Sequence, residues 1–154
     1  SFDRVRMLEN YSSNLIKPAY QDLQNQINNL KKATDIFIQN TTEQNLTSLQ
    51  TAWVNTYQIW QYANAYNFGP AGEQGLKKGL AEEIGTFPVS VSKIENTITN
   101  NSANFNDFNR DARGFLAMEY LIFDLNNNQQ NIITAFANQN RRNYLLGIVE
   151  NIKT

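Results

Sequence analysis

Cysteine and histidine are both absent from this chain of 154 residues. Without cysteine there is no disulfide framework and no thiolate metal site. Without histidine as well, no Ser-His or Cys-His nucleophile system can form within the chain. A zinc site would have oxygen ligands only, so no zinc is expected in this chain alone. Basic blocks are missing too. The net charge is -1, from 13 Lys and Arg against 14 Asp and Glu. Lys31-Lys32 and Arg141-Arg142 read as ordinary exposed pairs. No patch is basic enough to neutralise a phosphate backbone, and no nucleic-acid partner is expected. No run of about 18 apolar residues occurs, so no transmembrane segment is expected. The chain begins at Ser1 without Met or a leader, which suggests that a targeting signal has been removed.

What fills the gap is amide. The charged fraction is 18% and the apolar fraction 41%, both low for a globular domain, while about a sixth of the residues are Asn. These Asn residues alternate with regularly spaced Leu, Ile, Phe, Trp and Tyr, which marks them as a polar face rather than a disordered tract. Apolar spacings of three and four dominate, so the chain reads as all-α. A first helix places Val5, Leu8, Leu15, Ala19, Leu23, Ile27, Leu30 and Phe37 on one stripe, with a kink or an onset expected at Pro18. A second helix spans about 45–67 and aligns Leu46, Leu49, Trp53, Tyr57 and Trp60, an aromatic face expected to pack against the first and last helices. Glycines from Gly69 to Gly79 mark a loop. Short helices follow at about 76–84 and from Pro88 through Ile98. A unit at 107–125 precedes a last helix from about Gln130 to the end, with Ile132, Ile133, Phe136, Tyr144, Leu145, Ile148, Val149 and Ile152 inward. Short connections favour antiparallel neighbours. The expectation for residues 1–154 is one up-down bundle of four main helices plus short ones.

The decapeptide Gly114-Phe115-Leu116-Ala117-Met118-Glu119-Tyr120-Leu121-Ile122-Phe123 holds one charge. A helix apolar all round is normally buried, and a carboxylate inside one needs a partner. Glu119 is therefore the candidate ligand or metal residue.

The same decapeptide resembles the Gly-x-His-x-x-Glu signature of the imelysin family. Gly114 and Glu119 match, and Leu116 stands where that family carries histidine. Asn10-Tyr11 and Asn14-Leu15-Ile16-Lys17-Pro18-Ala19-Tyr20 resemble the family's opening helix. Trp53, Trp60 and Phe68-Gly69-Pro70 resemble its second helix and the loop after it, and Thr86-Phe87-Pro88 resembles its Thr-Trp-Pro turn. Imelysin-like proteins consist of two helical bundles, and this chain is similar to the first. The resemblance implies a bacterial cell-envelope protein, periplasmic or an outer-membrane lipoprotein. It would be anchored through a cysteine upstream of Ser1. A second helical bundle of the same protein and a metal-uptake partner are implied alongside, with iron or another divalent metal in the intact protein.

In the family motif the His and Glu share one helix face, where they could ligate a metal or act as an acid-base pair. Leu116 removes the nitrogen. The expected function is thus non-catalytic binding in iron or metal acquisition, with no catalytic residue in this chain. The alternative is an imelysin-type metallopeptidase whose other site residues lie in a C-terminal half. A structural Glu119, hydrogen-bonded within one bundle, is the third possibility.

Other motifs carry less. Asp107, Asn109 and Asp111 are spaced like calcium-loop ligands, but the required Gly falls on Ala112 and the twelfth position on Met118. Helix capping by Asn106 or Asp107 is the simpler role. Glycosylation sequons such as those at Asn40, Asn45 and Asn100 are expected by chance at this Asn content. The Gly69–Gly79 loop lacks the spacing of a phosphate cradle.

Overall fold

Helix α1 (Arg4–Tyr11) runs through a single π-helical turn (Ser12–Ile16) into the long helix α2 (Lys17–Gln39). The structure is a computed structural model and describes residues 3–64, 88–105, 107–125 and 128–153. The glycine-rich loop, the short helix expected at 76–84, Thr86-Phe87 and the Asn106 cap all lie outside the described residues.

Pro18 occupies the first turn of α2. Because α1, the π turn and α2 run on without a break, its missing N–H takes one bond out of the helical ladder there. The expected discontinuity is this π turn just upstream. Thr34 lies deep inside α2 and satisfies its hydroxyl on the Leu30 carbonyl, 2.8 Å away. The chain reverses at residues 40–42. The Thr42 hydroxyl accepts the Asn45 N–H at 3.2 Å and caps α3 (Glu43–Asn64). The Thr56 hydroxyl, with one proton to share, lies 2.7 Å from the Ala52 carbonyl of its own helix and 3.1 Å from the Gln26 carbonyl of α2, at the seam of the α2–α3 hairpin.

Helix α4 (Val91–Asn100) ends at Asn101, which takes the left-handed conformation with φ 49° that Asn tolerates better than most residues. A 3-10 turn (Asp107–Ala112) follows, then α5 (Gly114–Phe123). The unit expected at 107–125 is therefore two pieces, divided at extended Arg113. Gly114 enters α5 with φ 82°, a conformation open to glycine and strained for any side chain. The last helix is also divided. Helix α6 (Gln129–Ala135) is capped by Asn128, and α7 (Gln139–Lys153) starts after a turn at Phe136. Asn138 supplies the second cap, its Oδ1 accepting the N–H of Asn140 at 2.8 Å and of Arg141 at 3.3 Å.

Four helices close the bundle. Helix α2 packs on α3 and α7, and α5 packs on the same two from the opposite side. No strand occurs among the described residues. The core joins Leu30, Phe37, Leu46, Leu49, Phe115, Met118, Leu121, Leu145 and Ile148, each without measurable exposure.

Two packing expectations need correction. Val5, Leu8 and Leu15 were assigned to the inward stripe of the first helix but are exposed, and α1 buries no residue. The π turn takes up an extra residue between α1 and α2 and rotates the stripe between them. The aromatic face of α3 meets α5, not α7. Trp53 stacks on Tyr57 at 5.0 Å and meets Phe123 edge-on at 5.4 Å, and its indole N–H donates to the Phe115 carbonyl at 3.0 Å. Trp60 lies 5.7 Å from the Phe115 ring.

Candidate functional site

Six residues of α5 are buried: Gly114, Phe115, Ala117, Met118, Leu121 and Ile122. They cover the sides of the helix that meet α3 and α7. What remains is a strip at Leu116, Glu119, Tyr120 and Phe123, spaced three and four apart on the outer side. The strip forms one wall of an open groove of about 610 Å³. Val89, Val91 and Asp124 complete the lining.

Glu119 is exposed on this strip, which corrects the expectation that apolar neighbours enclose it. A helix apolar on every side has almost no directional signal, so the pattern could not say which strip stays open. Glu119 makes no hydrogen bond or ion pair among the described residues. The purely structural role, a carboxylate satisfied inside one bundle, therefore lacks its partner here. Leu116 is half-buried and lines the same groove. The motif's two chemical positions are thus brought together, and Gly114 serves the helix entry instead.

Tyr120 shares the wall but is chemically spent. Its hydroxyl donates to Glu95 Oε1 at 2.6 Å. Burial, with the Glu95 carboxylate accepting its proton, pushes the phenol up to about 12, so it does not offer a phenolate at neutral pH. Glu95 in turn takes Arg141 Nη1 on both oxygens, at 2.8 and 3.1 Å. The Arg141 side chain is only 6% exposed, and its guanidinium lies 5.6 Å from the Phe136 ring centre and 6.0 Å from that of Tyr120. Arg141 was expected to be one of an ordinary exposed pair. Its burial depends on a partner 46 residues away, which no local pattern announces.

Asp111, one of the calcium-loop residues, is committed elsewhere. Its carboxylate takes Lys93 at 2.6 Å, and its carbonyl accepts the Ser90 N–H at 2.8 Å. No group of three or more His, Cys, Asp or Glu side chains gathers among the described residues. The groove offers two carboxylates, Glu119 and Asp124, and Asp124 already accepts the Leu125 N–H at 2.8 Å. Divalent metals take four to eight ligands, and the described residues of the groove bring together only these two carboxylates. The groove can supply the Glu119 carboxylate and the second oxygen of Asp124, framed by Leu116, Phe123, Val89 and Val91.

The imelysin family description, peptidase M75, matches residues 16–154. The chain belongs to the imelysin family. A solved structure similar to it is an iron-regulated protein A precursor from Parabacteroides distasonis, with a TM-score of 0.68 and 23% identity. The match covers 88% of this chain and 38% of that one. At this identity the likeness shows the fold. The chain spans well under half the length of that imelysin-like neighbour. No curated protein matches it. No described helix is long and apolar enough to cross a membrane.

Proposed function

We propose that this imelysin-family bundle is a non-catalytic binding module of a bacterial cell-envelope protein serving iron or metal acquisition. Glu119 is the carboxylate it contributes to a site that a second helical bundle completes. A single observation carries the reading. Glu119 has no hydrogen-bond or ion-pair partner among the described residues and lines an open groove beside Leu116, where the family motif would place histidine. An open, mostly apolar wall that carries two carboxylates, Glu119 and Asp124, suits a surface that another helical layer covers. The 38% coverage of the neighbour supports a further bundle, and its naming as an iron-regulated precursor supports iron as cargo and an envelope location.

Peptide hydrolysis requires an activated water and a base. This chain has no histidine for either task, and Tyr120 keeps its proton. Its part is to hold and orient, with the other ligands coming from the second bundle and a metal-uptake partner receiving the cargo. The test is calorimetric titration of ferrous iron into the full-length protein, wild type and Glu119→Gln. The reading predicts one-to-one binding that the substitution weakens at least about tenfold, as loss of a ligand-sphere group does. Equal binding by both proteins would remove Glu119 from the site.

A further inference from the structure

Burying a guanidinium against one carboxylate is an expensive way to fill a core, since an apolar side chain of similar size often does as well or better. Arg141 does so while two of its nitrogens, Nε and Nη2, are buried without an acceptor among the described residues. Core filling therefore does not account for it. The consequence of its placement lies one step further on. Arg141 of α7 grips both oxygens of Glu95 on α4, and Glu95 receives the Tyr120 hydroxyl of α5. The Arg141 guanidinium also faces the Tyr120 ring. Tyr120 is thereby held at its tip and on its face. It is also the wall residue next to Glu119, four residues from Leu116 and three from Phe123.

We propose that Arg141 is a positioning residue of the groove, acting through Glu95 to hold Tyr120 in one rotamer beside Glu119. Arg141 itself does not line the groove. Glu95 is already 38% exposed on its side chain with Arg141 in place, so without Arg141 it is free to turn to water, and Tyr120 loses both restraints. The ring can then swing across the strip that Glu119 shares with Leu116 and Phe123. Reach and direction of the carboxylate cease to be fixed, although the carboxylate itself is untouched. The part of this inference that concerns ligand binding rests on the function proposed above. The part that concerns Tyr120 stands without it.

The experiment uses the full-length protein with Arg141→Met, which keeps an unbranched apolar stem in the core and removes the guanidinium. Arg141→Lys is the conservative variant. Lys31→Met is a control that removes two other ion pairs, with Glu150 at 2.7 Å and with Asp35 at 3.0 Å. Two readouts are taken. The first is NMR of Tyr120, through its side-chain couplings and hydroxyl proton. Wild type should show one rotamer and a slowly exchanging hydroxyl signal. Arg141→Met should show averaged couplings and no such signal, Arg141→Lys an intermediate state, and Lys31→Met the wild-type pattern. The second is ferrous-iron affinity, which Arg141→Met should lower about tenfold without a matching fall in melting temperature.

A single Tyr120 rotamer with its hydroxyl signal kept in Arg141→Met would overturn the proposal. So would a released Tyr120 with iron affinity unchanged. If wild type binds no iron, the function proposed above fails, and the Tyr120 couplings alone decide whether Arg141 positions the wall. If Arg141→Met does not fold, the double variant Glu95→Gln with Arg141→Met removes both charges. A single Tyr120 rotamer in that variant would equally overturn the proposal.

Discussion

Trp53 joins α3 to α5 through an indole hydrogen bond, a stacked tyrosine and an edge-on phenylalanine. Its replacement by Ala removes the contact with Phe123 between the two helices and takes the indole donor from the Phe115 carbonyl. Denaturant unfolding of Trp53→Ala should show a loss of about 3–5 kcal/mol, and a loss below about 1 kcal/mol would place the ring outside the core. Tyr144 is a second case in which chemistry follows burial. It is 2% exposed, and its hydroxyl donates to the Ala112 carbonyl. Burial, with the Asp111 charge nearby, pushes the phenol up to about 12. The sign follows directly. Above its ordinary value near 10 the unfolded tyrosine ionises while the folded one holds its proton, so stability present below pH 10 is lost between about pH 10 and 12. The rise from 10.0 to about 12 corresponds to about 3 kcal/mol. Tyr144→Phe should make this arm of the pH-stability curve shallower, leaving the share of Tyr120, whose phenol is pushed up to about 12 as well.

Glycine and asparagine set where the helices begin and end. Gly147 sits mid-helix in α7, and a Cβ added there would run into the Phe105 ring. Phe105 also packs on Tyr144, at 5.2 Å. Gly147→Ala should therefore destabilise by about 1–3 kcal/mol through overpacking, although Ala is the better helix former, and a rise in melting temperature would contradict the packing. Helices α2 and α3 were legible in the sequence because each buries one stripe against a polar, amide-rich outer face. The division of the last helix was not. Asn138, which caps α7, looks like any other Asn in a chain so rich in them. The outward turn of α1 was hidden as well, since Val5, Leu8 and Leu15 continue the stripe on paper while a π turn rotates it in space.

Taken whole, the bundle buries three sides of the signature helix and leaves the fourth, with Glu119, on an open groove. The motif positions were legible in the sequence, and so was the missing nitrogen at Leu116. Their surroundings were not, because an all-apolar helix gives no direction and the Glu95–Arg141 pair joins distant helices. Leu116 and Glu119 line the same groove, so Leu116→His should restore a nitrogen ligand three residues from the carboxylate. In the full-length protein it should raise divalent-metal affinity by about tenfold or more, as read by calorimetry. No gain would mean that the two side chains cannot reach one ion. The most direct test is the melting of full-length wild type and Glu119→Gln, each with and without iron. The account predicts that iron raises the melting temperature of wild type, that Glu119→Gln abolishes this rise, and that the two iron-free proteins melt alike. An equal iron-induced shift in both would contradict it.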